Sequence, residues 1–113
     1  MKIVRKTEAR KFQNSDKCTA FEYPIGDEGI NGAVIIIEGR YPDIGMVANT
    51  KCKELAYILE GTGKLFTTNG DTEFNPGDLL FIDAGEGFYW EGSFKMFAPC
   101  APAWNLEQYK ELK

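Results

Sequence analysis

No histidine occurs among the 113 residues, and that absence decides which chemistry is open. The side chain that most often ligates catalytic metals and moves protons near neutral pH is missing, so a histidine-based triad is excluded. Proton transfer is left to carboxyls, phenols and thiols. Glu54 opens the apolar run Leu55-Ala56-Tyr57-Ile58-Leu59, and by residue type alone it is equally well explained as the solvated start of a strand. Further on stands Phe88-Tyr89-Trp90. Strand alternation sends Phe88 and Trp90 to one face and Tyr89 to the other. Those two rings either fill a core or form a wall for a sugar ring or a flat or cationic ligand.

Three cysteines, Cys18, Cys52 and Cys100, are odd in number and lack CxxC spacing. This argues against a disulfide framework or a zinc knuckle and for buried free thiols in a reducing compartment. Cys52 lies two residues before Glu54 and shares its strand face if no bulge intervenes. Cys100 has no cationic neighbour in sequence to lower its pKa and is read as structural.

The elements that position these residues read as strands. Ile3–Arg5 alternates weakly and Cys18–Tyr23 better, while Ala33–Glu38 is rich in β-branched residues. Tyr41–Gly45 reads as a loop. Glu54–Leu59 is followed by Glu60-Gly61-Thr62-Gly63, read as a tight turn into Lys64–Thr68. Asn69-Gly70 is a strong hairpin signal, since both central residues of a type I′ turn need positive φ. Leu79–Ile82, Phe88–Glu91 and Phe94–Pro99 complete the strands. Asn105 with Gln108 three residues on has capping-box spacing, which predicts a C-terminal helix over 105–112 with Leu106, Tyr109 and Leu112 on one side. Eight to ten short strands at regular turn spacing predict an all-β sandwich or barrel.

Bulk properties narrow the function. Apolar residues make up 43% and charged residues 27%, the balance of a globular chain that can bury its own core as one domain over 1–113. The apolar stretches Ala33–Ile37 and Leu79–Ile82 are far below the roughly 20 residues of a membrane span. The polar start from Met1 to Lys6 lacks a signal-peptide core, so a cytoplasmic protein without membrane partners is expected. Net charge is −4, from 17 acids and 13 bases spread without a basic run, which disfavours nucleic-acid binding.

Two stretches resemble the paired motifs of the cupin family. In Glu54-Leu55-Ala56-Tyr57-Ile58-Leu59-Glu60-Gly61, Glu54 and Gly61 match the glutamate and glycine of the first motif. In Pro76-Gly77-Asp78 through Gly87-Phe88, Gly77 and Gly85 match the second, with Asp83 where its proline stands and Phe88 where its histidine stands. The first motif's His-x-His pair falls at Val47 and Asn49, or at Ala48 and Thr50. Of the family's three histidines and one glutamate, only Glu54 is present.

The resemblance implies a double-stranded β-helix, a jelly-roll barrel over about 1–103, followed by the short C-terminal helix. It turns Glu54 into the barrel, where desolvation raises its pKa and leaves a neutral acid or a poised base. It also brings Phe88 and Trp90 to the barrel mouth with Asn49 as a neutral polar anchor, although an ordinary loop asparagine explains Asn49 equally well. A transition metal needs three or four good ligands, so neither a metal nor another cofactor is expected. The expected function is metal-free binding of a small organic molecule, sugar-like or aromatic, by Asn49, Glu54, Phe88 and Trp90. The alternative is a sugar or keto-acid isomerase or epimerase using Glu54 with Tyr57 or Tyr89 as acid and base. A second alternative is a sensor or partner-binding domain with a vestigial pocket. The family likeness and the apolar run Ala33–Ile37 point to a homodimer paired through the outer sheets.

Overall fold

The computed structural model describes residues 1–112; Lys113, the last residue of the expected domain, lies outside the described residues. A single 3-10 turn, Lys6–Glu8, precedes the first strand. Nine strands follow in chain order: β1 (Arg10–Ser15), β2 (Cys18–Tyr23), β3 (Asn31–Tyr41), β4 (Met46–Asn49), β5 (Lys53–Thr67), β6 (Gly70–Phe74), β7 (Leu79–Ile82), β8 (Phe88–Ala101) and β9 (Tyr109–Leu112). The expected all-β jelly-roll architecture is what the chain forms. No helix of the described residues is long and apolar enough to cross a membrane.

Two long strands organise the rest. β8 buries Phe88, Trp90, Phe94, Met96, Ala98 and Cys100 and turns the residues between them outward. Along one edge it pairs antiparallel with β3, from Asn31 opposite Cys100 to Tyr41 opposite Trp90. Along the other it pairs with β5, from Lys53 opposite Ala101 to Thr67 opposite Phe88. β2 and then β1 extend the sheet beyond β3. β7 pairs with the first part of β5, and β6 forms a hairpin with its second part across Thr68-Asn69, one residue before the expected Asn69-Gly70 turn, with Gly70 already in the strand and Asn69 without positive φ. β4 meets β8 at Val47 opposite Phe88 and carries β9 on its other edge. Curling of this sheet brings Ile37, Ile58, Ile82 and Met96 together in the core. Phe74 stands edge-on to Phe94 at 4.8 Å and to Trp90 at 5.8 Å, filling part of the interior with rings.

Four expectations need correction. Ile3–Arg5 is not a strand; the first strand is β1, whose polar, exposed residues carry no apolar alternation. β4 lies where no strand was expected. The stretches read as separate strands around Glu60–Gly63 and around Gly92 are continuous β5 and β8. Finally, the helix over 105–112 is reduced to one 3-10 turn, Leu106–Gln108, followed by a strand. Asn105 makes no side-chain cap. Gln108, its expected capping partner, is buried and used elsewhere: its Oε1 accepts the Cys52 backbone N–H at 2.8 Å and its Nε2 donates to the Ala103 carbonyl at 3.2 Å. The free edge of β4 then takes Tyr109–Leu112 as a strand.

Glycine lets the two long strands pass through what read as breaks. Gly63 and Gly92 stand opposite one another, and Gly92 has φ +146. A Cβ there would lie 2.5 Å from both the Gly63 Cα and the Thr62 carbonyl oxygen. Backbone cannot yield as a side-chain tip can. Gly92→Ala is therefore expected to lower stability by about 2 kcal/mol or more, measured by chemical denaturation.

Candidate functional site

The inward faces of the curled sheet leave a cavity of about 490 Å³. Its walls come from β1, β2, β3, β4, β5, β8 and the segment that follows β8. Asn49, Glu54, Phe88 and Trp90 all line it. Tyr57 and Tyr89 do not. Tyr57 stands three residues from Glu54, an odd step that turns it to the outer face, where it is 44% exposed. Tyr89 also points outward, stacked on Phe66 at 4.3 Å with the Arg40 guanidinium 3.7 Å from its ring centre. Neither phenol shares a compartment with Glu54, so the pairing of Glu54 with Tyr57 or Tyr89 is corrected. The phenols at the cavity are Tyr41 and Tyr109.

Glu54 is the only ionisable side chain among the buried polar residues, Asn49, Glu54 and Gln108, and is 8% exposed. Strand pairing sets it opposite Cys100, whose Sγ–H donates to Glu54 Oε1 at 3.4 Å. Burial pushes the carboxyl up to about 7, against the smaller opposing effect of that thiol hydrogen bond. Cys52, also buried, faces the same pair. Cys100 is pushed far above the ordinary thiol value by its hydrogen bond with Cys52 and by burial, so it remains a proton donor. Burial likewise raises Tyr41, and burial with the contact to Tyr41 raises Tyr109. Their hydroxyls are 3.5 Å apart, long for an O–H···O bond. Cys18, further round the wall, is pushed up to about 11, again by burial. Glu54 is thus the deep cavity group poised to exchange a proton near neutral pH.

The segment after β8 completes the wall. Trp104 lines the cavity and is held at three points. Its backbone N–H donates to Asn31 Oδ1 at 2.9 Å and its carbonyl accepts from Asn31 Nδ2 at 3.2 Å. Its indole Nε1–H donates to Asn49 Oδ1 at 2.8 Å. Indole nitrogen is a donor only, which fixes the Asn49 amide orientation and leaves the Asn49 NH2 as what that side chain can offer a ligand. Trp104, Tyr41 and Tyr109 were not found from sequence: Tyr41 read as loop, Tyr109 as part of a helix, and Trp104 as chain leaving the barrel. Tyr109-Lys110-Glu111-Leu112 lacks period-2 alternation, so no local signal marks this strand.

The metal implied by the resemblance does not fit these residues. Among the described residues no group of three or more His, Cys, Asp or Glu side chains, the Glu54–Cys100–Cys52 cluster included, has the arrangement to hold an ion. Phe88 presents hydrocarbon, and Cys100 holds its proton firmly.

The raised Glu54 pKa makes stability depend on pH. The folded state binds a proton that the unfolded chain releases above about pH 4.5. Stability therefore falls as pH rises from about 4.5 to about 7 and then levels off. Glu54→Gln removes the charge and keeps the shape. The variant is expected to exceed the parent protein by on the order of 3 kcal/mol above that window and to converge with it below, in denaturation measured across pH.

No protein-family model and no curated protein matches the chain. Solved structures do. Streptomyces Pac13, described as a unique nucleoside dehydratase, superposes with a TM-score of 0.89 at 17% identity, over 100% of this chain and 92% of its own. The polyketide cyclase RemF from Streptomyces resistomycificus gives 0.75 at 18% identity, over 100% of this chain and 86% of its own. A sugar phosphate isomerase of the cupin superfamily from Silicibacter pomeroyi gives 0.68 at 12% identity, over 88% and 75%. At these identities the likeness is one of fold.

Proposed function

On the premise that this chain is a small domain of cupin fold, we propose that it binds a small organic molecule inside its barrel without a metal, with Glu54 as the polar anchor. The observation that carries this reading is a buried carboxyl, opposed by one thiol, on the wall of a cavity of about 490 Å³. Carboxyls are seldom taken out of water without a counter-ion or several donors, because the charged form then loses hydration that nothing replaces. A ligand supplies what is missing. Phe88 and Trp90 form apolar walls, and the Asn49 NH2 adds a donor. Fold neighbours bind or convert small molecules: Pac13 is described with uridine, and RemF as a cyclase. A vestigial pocket would be closed by large side chains; instead Ala20, Ala33 and Ala98 leave room along the wall.

A second reading, an enzyme of the isomerase, epimerase or dehydratase type, has its own support. A carboxyl titrating at about 7 takes and returns a proton near neutral pH. Its acid partner in that case is Cys100, Tyr41 or Tyr109, all on the cavity wall.

A thermal-shift screen of metabolites followed by titration tests the binding reading. Glu54→Gln is expected to weaken the ligand that emerges by tenfold or more, with the fold intact by circular dichroism. Unchanged affinity in that variant, for every ligand found, removes the site.

We propose further that two copies pair through the outer face of β5, β7 and β8. Leu55, Tyr57, Leu59, Leu79, Phe81 and Phe97 are each more than a third exposed there. Register sets Leu55 beside Phe81 and Tyr57 between Leu79 and Phe97, so the patch is continuous. Monomers rarely leave such a face in water. In Ala33–Ile37, by contrast, residues 33, 35 and 37 line the cavity, which leaves Val34 and Ile36 to face outward. Light scattering is expected to give a dimer that Leu79→Asp with Phe81→Asp converts to a folded monomer; a dimer unaffected by both changes rejects this face.

A further inference from the structure

The charge pattern of the cavity wall narrows the ligand beyond its being small and organic. Two acids, Glu22 and Glu54, line the cavity, and among the described residues no lysine or arginine does. Two cations, Arg10 and Lys51, line an adjoining outer cleft of about 610 Å³ that meets the cavity at Phe12, Glu22, Asn31, Gly32 and Trp104. Arg10 is there already drawn to Glu22. When Glu54 is ionised, its charge thus has no cation on the cavity wall to balance it.

Glu54 points this charge at the ligand. Within the described residues, the one hydrogen bond the protein gives its carboxyl is the Cys100 thiol, to Oε1. No fully buried side-chain oxygen lacks a partner. Oε2 therefore keeps the residual exposure of the side chain, and that exposure opens into the cavity. The same cavity is lined by Ile35, Ile37, Met96, Ala98, Trp90 and Trp104, beside the polar Asn31, Asn49 and Tyr41. A phosphate or carboxylate placed there meets an uncompensated anion in a medium of low polarity. A cation is instead drawn to the carboxylate, and aromatic rings on the wall can add to that attraction where it meets their faces.

Resting on the reading that the ligand occupies the barrel, we infer that it is a protonated amine carried on an apolar or aromatic body, its ammonium against Glu54 Oε2 and an acceptor atom facing the Asn49 NH2. The ammonium requires Glu54 ionised. Since that group is half-protonated near neutral pH, binding there displaces a proton into the buffer. The titratable groups facing Glu54 are Cys100 and Cys52, and the Gln variant separates their contribution from its own.

Three probes sharing one ring system test the inference by calorimetry: tryptamine, tryptophol and indole-3-acetate, titrated at about pH 8, above the Glu54 titration. Tryptamine is expected to bind about tenfold or more tighter than tryptophol, and indole-3-acetate weakest. Glu54→Gln is expected to erase the preference while moving tryptophol less than about threefold. Near neutral pH the tryptamine heat is expected to vary with buffer ionisation enthalpy in the parent protein and not in Glu54→Gln. Indole-3-acetate binding as tightly as tryptamine, a preference that survives Glu54→Gln, or silence from all three at millimolar concentration overturns the amine class. If in that event a neutral or anionic ring still binds and Ala98→Met blocks it by filling the cavity, the barrel pocket stands and only the charge assignment is lost. If no ligand responds to Ala98→Met, the pocket reading falls as well.

Discussion

Placing one carboxyl inside a hydrocarbon barrel is the constraint around which this molecule is arranged. Glu54 sits at an inward position of β5, and the antiparallel register with β8 puts Cys100 across from it. A thiol is a weak donor, so it moderates the desolvation of the carboxyl without neutralising it. The carboxyl is left balanced between its two protonation states near neutral pH, and the fold bears the strain of keeping it there. A stronger partner such as arginine would quieten the group and occupy the space. Weak internal satisfaction beside open volume is the combination on which the proposed binding role of Glu54 rests.

The scaffold that makes this arrangement possible is a pair of strands long enough to serve both walls of the barrel. β5 and β8 run 15 and 14 residues, and with β3 they supply just over half of the residues that line the cavity. Their continuity depends on the absence of side chains where they press together, at Gly63 opposite Gly92. The C-terminal segment adds the remaining wall. It does so with side-chain amides: Asn31 and Asn49 hold Trp104, and Gln108 ties the same segment to Cys52. Three amides thus perform the fastening that disulfides perform in smaller scaffolds.

Much of the fold was legible because its signals are local. Asn69-Gly70 marks the place of its hairpin, though the turn itself falls one residue earlier at Thr68-Asn69, and the alternation in Phe88-Tyr89-Trp90 assigns the faces correctly. Glu54, Asn49, Phe88 and Trp90 could be brought together on motif spacing because the two motifs flank a short hairpin. The outward turn of Tyr57 was readable from parity alone and was overlooked in favour of its chemistry. What lay beyond reading was long-range pairing. Nothing near Cys100 announces that it stands opposite Glu54, and nothing near Tyr109 announces that β4 has an edge to fill. The capping-box spacing of Asn105 and Gln108 misled for the same reason: Gln108 had a buried backbone N–H to satisfy, at Cys52, and that need outweighs a surface cap. Glycine pairs misled too, since a residue that permits a turn also permits two backbones to touch.

The chain has two tryptophans, and both of them, Trp90 and Trp104, look into the same cavity. Their intrinsic emission therefore comes wholly from the wall of the compartment, with no distant indole to dilute it. Quenching, a spectral shift or energy transfer to an absorbing guest reads occupancy directly, with no label attached. The indole of Trp104, bonded to Asn49, also answers to any displacement of that amide. The protein thus carries its own optical gauge of whether the barrel is filled.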